Sequence, residues 1–217
     1  RELADDQGLS EETLHLAVCY LDTLLAQDYY RKNQLQLVAL CCILIAAKYL
    51  EPELSIPTLR ELISCCNDAY NQQQVVSMEM NVLNALGWFL GRPTTATFLA
   101  YYAEIGFYDT ATEAPSQNKG KLQECDSFIK RCKDFFLVTC LSEYSMRSYQ
   151  ASHRAAAIVA CVRRMMQIGG WPPALVKLTK CSEIECAKAA SELWNAYLRI
   201  YEKQKKEREA QATCEGH

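Results

Sequence analysis

Glycine and proline are scarce in this 217-residue sequence, at 8 and 6 residues. No sustained apolar–polar alternation accompanies them, so the turns and half-buried strands of a sandwich or barrel are not encoded. A basic excess is missing too. Lys and Arg total 23 against 26 acidic residues, a net charge of −3. That balance argues against general nucleic-acid binding, whose affinity rests on neutralising phosphates, although a local basic patch stays open.

The signatures of catalysis and of metal binding are also lacking. There is no Gly-x-Ser-x-Gly, no phosphate-binding loop and no His-Glu-x-x-His, and Asp5-Asp6 is followed by no carboxylate at ligand spacing. No catalytic residue, no cofactor and no enzyme activity is therefore expected. The three histidines are His15, His153 and His217, the first two read as structural. Twelve cysteines are present, but none forms Cys-x-x-Cys. His15 and Cys19 stand one helical turn apart, and Cys181 and Cys186 flank a helix start. Neither pair completes a zinc set, so no metal is expected. Cys41, Cys42, Cys140 and Cys161 lie in apolar helical stretches, where free Cys packs as a small hydrophobe. Reduced thiols suit the nucleus or the cytoplasm. Without an Asn-x-Ser/Thr site, a signal peptide or a bilayer-length apolar run, no membrane partner is expected. Arg1 in place of Met predicts a fragment of a longer protein.

Helix signals fill what remains. Half the residues are hydrophobic, enough for a real core. The run Leu35 to Glu51 is apolar on almost every side before ending in Lys48, Tyr49 and Glu51. A helix of that kind sits at the centre of a domain, wrapped by others. Ser10 reads as an N-cap, with Glu11 and Glu12 near the positive end of the helix dipole. Ser55 and Pro57 open a short helix to about Cys66. Asn71 with Gln74, and Ser182 with Glu185, fit capping boxes. Gly87 and Gly169-Gly170 mark helix ends. Pro93-Thr94 opens a helix to Glu104, Leu122 to Val138 is helical, and Trp171-Pro172-Pro173 opens another short helix.

The two halves rhyme. LQLVALCCILIAA from Leu35 matches YQASHRAAAIVAC from Tyr149, and each is followed by a short proline-started helix and a capped long one. Two copies of one helical bundle account for this. The predicted division is a first bundle over 1–105, a linker over 106–120, a second bundle over 121–201 and a charged helical extension over 202–217.

Several of these stretches, taken in order, resemble the cyclin family. ETLHLAVCYLD, LQLVALCCILIAAKYLE, AYNQQQVVSMEMNVLNAL and PTTATFLAYY resemble the first cyclin box. SYQASHRAAAIVA, GGWPPALVKLTKCS and ELWNAYL resemble the second. Within the family the similarity is greatest to cyclin J, then to cyclins A and B. The resemblance implies an all-α fold of two tandem five-helix bundles, each around a buried third helix. It also implies a nuclear or cytoplasmic regulatory subunit that binds and activates a cyclin-dependent serine/threonine kinase in cell-cycle control. Kinase substrates or inhibitors are the further partners it implies.

In that family a lysine closing the third helix and a glutamate in the fifth face the kinase, and they match Lys48 and Glu79. Ile45, Tyr49, Leu83, Trp88 and Leu90 match its apolar contact positions, although Trp88 fits a core position equally well. Three departures stand out. The family's Lys-Phe-Glu-Glu reads Lys48-Tyr49-Leu50-Glu51. The spacing from Lys48 to Glu79 is longer than in cyclin A. The first helix, with its Met-Arg-Ala-Ile-Leu and tryptophan, is largely missing. That helix supplies most of the substrate-docking patch, leaving Gln36 alone, and it supplies an arginine for the aspartate matching Asp22. Asp22 is therefore expected to be a buried carboxylate short of a partner. Lys130, Arg131 and Lys133, and Arg163 with Arg164, are expected on solvated faces. The competing reading is a nucleic-acid-binding protein of the same fold, similar to the core of transcription factor IIB.

Overall fold

A computed structural model describes residues 2–27, 30–105, 119–168 and 170–214. They form ten α-helices and three 3-10 turns, with no strand among the described residues. The chain divides into two compact units, residues 1–96 and 97–217.

The first unit is assembled around α3, Leu35–Leu50, in which Leu37, Val38, Leu40, Cys41, Cys42 and Leu44 through Ala47 are all buried. Before it come α1, Glu2–Asp6, and α2, Glu11–Ala26; after it come α4, Leu59–Cys65, and α5, Gln72–Ala85. Helices α2 and α5 pack on α3. Leu16, Tyr20 and Leu24 from α2, and Val75, Met78 and Val82 from α5, close the core at helical spacing. Contrary to the sequence expectation, Lys32–Leu50 is long and apolar enough to cross a membrane, but half of it is buried inside this unit. Its apolarity serves a protein core.

The caps explain the helix boundaries. Ser10 Oγ accepts from the Thr13 amide at 3.2 Å, as expected of an N-cap. Glu51, just beyond α3, adds a lock: its Oε1 accepts from the Ser10 amide at 2.8 Å and from Thr13 Oγ1 at 2.6 Å. The end of α3 is thereby tied to the start of α2. Helix α4 starts later than Ser55 and Pro57 predicted, because Thr58 and Glu61 form the capping box that nucleates it. The box of Asn71 and Gln74 opens α5 as read from the sequence. Asp22 is half-buried and engaged, not a stranded carboxylate.

The second unit repeats the plan. Its helices are α6, Thr95–Ile105, α7, Lys119–Ser142, α8, Ala151–Met165, α9, Pro173–Thr179, and α10, Glu183–Cys214. The small residues Ala155, Ala156 and Ala157 let α7 and α10 pack closely on α8, and all three are fully buried. Phe136 stacks on Trp194 and meets Tyr197. Almost all of α6 belongs to this unit, although the sequence reading put it in the first bundle. Tyr102 of α6 is buried beside Cys181, and burial and that thiol together raise its phenol. Five helices then fall to each unit. The expected linker over 106–120 lies outside the described residues except for Lys119 and Gly120, which open α7.

Two expectations for α8 change. The helix ends at Met165, with Gln167 in the left-handed conformation at φ 60°, before Ile168; Gly169 lies outside the described residues. Arg163 is buried, not solvated, with Nη2 donating to the Gly170 carbonyl at 3.3 Å. Arg164 lies over the Trp194 ring at 4.2 Å. The extension from Glu202 continues α10 as far as Cys214.

Candidate functional site

Helix α3 goes from buried to exposed at a single residue. Ala47 is enclosed, while Lys48, Tyr49 and Leu50 are all exposed. Lys48 Nζ reaches Glu79 Oε1 on α5 at 2.6 Å, with the lysine side chain 48% exposed and the glutamate 13%. An ammonium carries three N–H donors, so one ion pair leaves others for an acceptor on a partner. Cys41 lies below this pair. Burial pushes its thiol up to about 12, with Glu79 adding to the effect and Lys48 opposing it.

The residues around the pair come from α5 and the segment after it. Leu83 and Leu90 are half-buried against the core. Helix α5 ends in two crossed backbone bonds, Gly87 N to Asn84 O and Trp88 N to Leu83 O, both 3.0 Å. This is a Schellman arrangement, which places residues in the left-handed region. Gly87 does so at φ 61°, but Trp88 follows at φ 59°. A bulky L-residue is strained there. Trp88 nevertheless stays 58% exposed, tethered by its indole N–H to Asn84 Oδ1 at 3.1 Å. Of the two roles read for it, the core role is not the one this geometry gives it.

Tyr20 fixes what comes next. Its buried hydroxyl donates to the Leu90 carbonyl at 2.8 Å. Burial raises that phenol far above its ordinary range, with neighbouring Tyr49 adding to it. Tyr49 runs to Gly91, where its hydroxyl sits 2.8 Å from the place a Cβ would occupy.

Of the residues named from the sequence, Lys48, Tyr49, Glu79, Leu83, Trp88 and Leu90 thus belong to one exposed end of the first unit. Ile45 does not reach the surface: it is 2% exposed and backs the surface as core. Gln36 sits in the first turn of α3, exposed, its Oε1 accepting from Tyr70 Oη at 2.9 Å. A helix rises about 1.5 Å per residue, which puts Gln36 roughly 18 Å along the axis from Lys48. It belongs to a different surface.

Sequence reasoning missed Phe89, 64% exposed beside Trp88, and Val76 and Met80, exposed on α5. Val76, Met80 and Leu83 share a face at i, i+4 and i+7. They form a second apolar stripe next to the buried one of Val75, Met78 and Val82. The outer stripe leaves Val76 and Met80 exposed beside the core-facing one. Chemically, an ion pair with exposed aromatic and aliphatic side chains near it is an arrangement that can serve recognition.

Comparison with known proteins agrees with the two-unit layout. The family description "Cyclin, N-terminal domain" matches residues 1–91, and "Cyclin, C-terminal domain" matches residues 93–215. The second match starts ahead of α6. The chain is 32% identical over 162 residues to Cyclin-A2-1 of Arabidopsis thaliana, covering 75% of this chain and 33% of that protein. It is 32% identical over 171 residues to Cyclin-J of Xenopus laevis, covering 76% and 44%. It is 28% identical over 199 residues to the G2/mitotic-specific cyclin-A of Patella vulgata, covering 91% and 42%. The chain thus spans between a third and under half the length of these relatives. Among solved structures, a viral cyclin from herpesvirus saimiri superposes with a TM-score of 0.66 at 17% identity, over 89% of this chain and 79% of that one. That likeness establishes the fold.

Proposed function

The chain belongs to the cyclin family, and on that premise we propose that it binds and activates a cyclin-dependent serine/threonine kinase in cell-cycle control, in the nucleus or the cytoplasm. The observation that supports this reading best is the Lys48–Glu79 pair, set among exposed Tyr49, Trp88, Phe89, Val76 and Met80. Aromatic anchors around a fixed charge are the make-up of interface hot spots. The kinase's C-helix would lie on the apolar stripe of α5, while Lys48 and Glu79 orient it through its polar groups. The surface binds the inward position of that helix better than the outward one, and this difference shifts the kinase toward its active form. Gln36 would take part in docking substrates or inhibitors on the separate face near Tyr70.

A pull-down against a panel of purified cyclin-dependent kinases, followed by a phosphorylation assay on any kinase retained, tests the reading. Retention and stimulation of at least one kinase are expected. Retention of none, together with salt-sensitive binding to DNA, would move the chain to the nucleic-acid-binding alternative.

A further inference from the structure

Three side chains from two separate stretches of the sequence meet in the second unit. A ring nitrogen of His153, Sγ of Cys181 and a carboxylate oxygen of Glu185 all lie within 4.8 Å of one another. We propose that they form a binding site for a divalent transition-metal ion of the zinc type, linking the first turn of α8 to the first turn of α10.

The donor set suits zinc, which takes thiolate, imidazole and carboxylate in tetrahedral sites. A zinc ion would draw the three atoms to roughly 3.3–3.6 Å apart, given ligand bonds of about 2.0–2.3 Å. Rotation of the half-exposed His153 and the exposed Glu185 covers that change. Cys181 provides the fixed point. It is fully buried, its N–H donates to Thr179 Oγ1 at 3.3 Å, and its carbonyl accepts from Trp171 Nε1 at 3.2 Å. Glu185 is oriented by its capping box, in which the Ser182 amide and hydroxyl both donate to Oε2, at 2.9 and 2.7 Å. Oε1 is not committed to that cap. This is the supporting contact that usually orients a metal-ligating carboxylate.

Cys186, next along α10, hydrogen-bonds through its thiol to the Cys181 sulfur and lies 3.5 Å from the Ala156 carbonyl. Cys186 is not among the converging donor atoms, so the site is one of three protein ligands with a fourth position open to water from the exposed side. Binding would release one proton, from the Cys181 thiol, and leave thiolate and carboxylate balancing the two positive charges of the ion.

The whole chain, stripped with a chelator, is titrated with Co²⁺ and then with Zn²⁺. One Co²⁺ per chain is expected, with a thiolate-to-cobalt charge-transfer band that Zn²⁺ abolishes, and Zn²⁺ should raise Tm. Glu185→Gln keeps the cap, because Gln serves equally at that position of a capping box, yet it should weaken binding roughly ten-fold or more. His153→Gln and Cys181→Ser should remove the band and the Tm response, while Cys65→Ser, an exposed thiol elsewhere, should leave both. If Cys181→Ser does not fold, the half-exposed His153 variant decides. A wild type that shows no charge-transfer band overturns the site, as does a band that survives His153→Gln.

Discussion

Lys48 Nζ and Glu79 Oε1 are already paired at 2.6 Å before any partner is present, across two helices that share one core. An ion pair this exposed is worth about 0–1 kcal/mol to stability, so folding alone is a weak reason for it. Lys48→Ala should lower unfolding free energy by less than about 1 kcal/mol in urea. Kinase capture should fall by roughly ten-fold or more, the loss typical of a central interface residue. Reversing both charges, Lys48→Glu with Glu79→Lys, keeps an intrachain pair but presents the opposite polarity to a partner. Capture by that double variant should stay weak; wild-type capture would mean that the pair does not face the kinase.

Tyr20 holds the segment that carries Trp88 and Leu90. Its hydroxyl is the donor to the Leu90 carbonyl, 2.8 Å away in a buried setting. Tyr20→Phe removes the donor and fills nearly the same volume, leaving that carbonyl with only its bond from the Arg92 amide at 2.8 Å. The expected cost is about 0.5–1.5 kcal/mol, the net worth of one neutral hydrogen bond, read as a lower urea midpoint at unchanged slope. Hydrogen exchange should also quicken in residues 86–92. Unaltered exchange there would mean that other contacts hold the segment.

Gly91 allows Tyr49 to lie where it does. An alanine Cβ would come within 2.8 Å of the Tyr49 hydroxyl but only 3.8 Å from the ring carbon that bears it. The clash therefore involves the free end of an exposed side chain. Gly91→Ala should change stability by no more than about 1 kcal/mol while weakening kinase capture, because Tyr49 must turn aside. Tyr49→Phe removes the clashing oxygen, so Gly91→Ala added to Tyr49→Phe should cost no further capture. Equal losses in both backgrounds would place the effect elsewhere.

The fold was legible where local chemistry and burial agree. Leu35 to Glu51 has too few polar residues for any place but a centre, and Ser10, Asn71 and Ser182 carry caps whose hydrogen bonds all form. The start of α4 was less legible, since Pro57 drew attention from the Thr58–Glu61 box one residue later. The allegiance of α6 was not legible at all, because an amphipathic helix shows that it packs but not on what. For the site, Lys48 and Glu79 came from the family resemblance, and no periodicity singles them out. Ile45 was misplaced for a physical reason: one turn back from Lys48 on α3, a short step along the helix takes the chain from surface to core. His153, Cys181 and Glu185 do not read as one set in the sequence, because only the packing of α8 beside α10 brings His153 to the other two.

Glu51 offers a test by pH. Burial pushes its carboxyl up, but the hydrogen bonds from Thr13 and Ser10 together outweigh this and hold it below its ordinary value of 4.5. A carboxyl that is more acidic when folded contributes stability in full above its unfolded pKa, and loses that contribution as pH falls through the folded one. The tie between the end of α3 and the cap of α2 should therefore hold near neutral pH and fail in acid below 4.5. Glu51→Gln keeps the shape and an acceptor oxygen but not the charge. It should cost about 1 kcal/mol near pH 7, a figure at the low end for charged hydrogen bonds because solvent reaches the group. The wild-type and variant stabilities should converge as urea titrations are carried down to about pH 3. A gap of the same size at both pH values would show that the side chain's packing, and not its charge, joins the two helices.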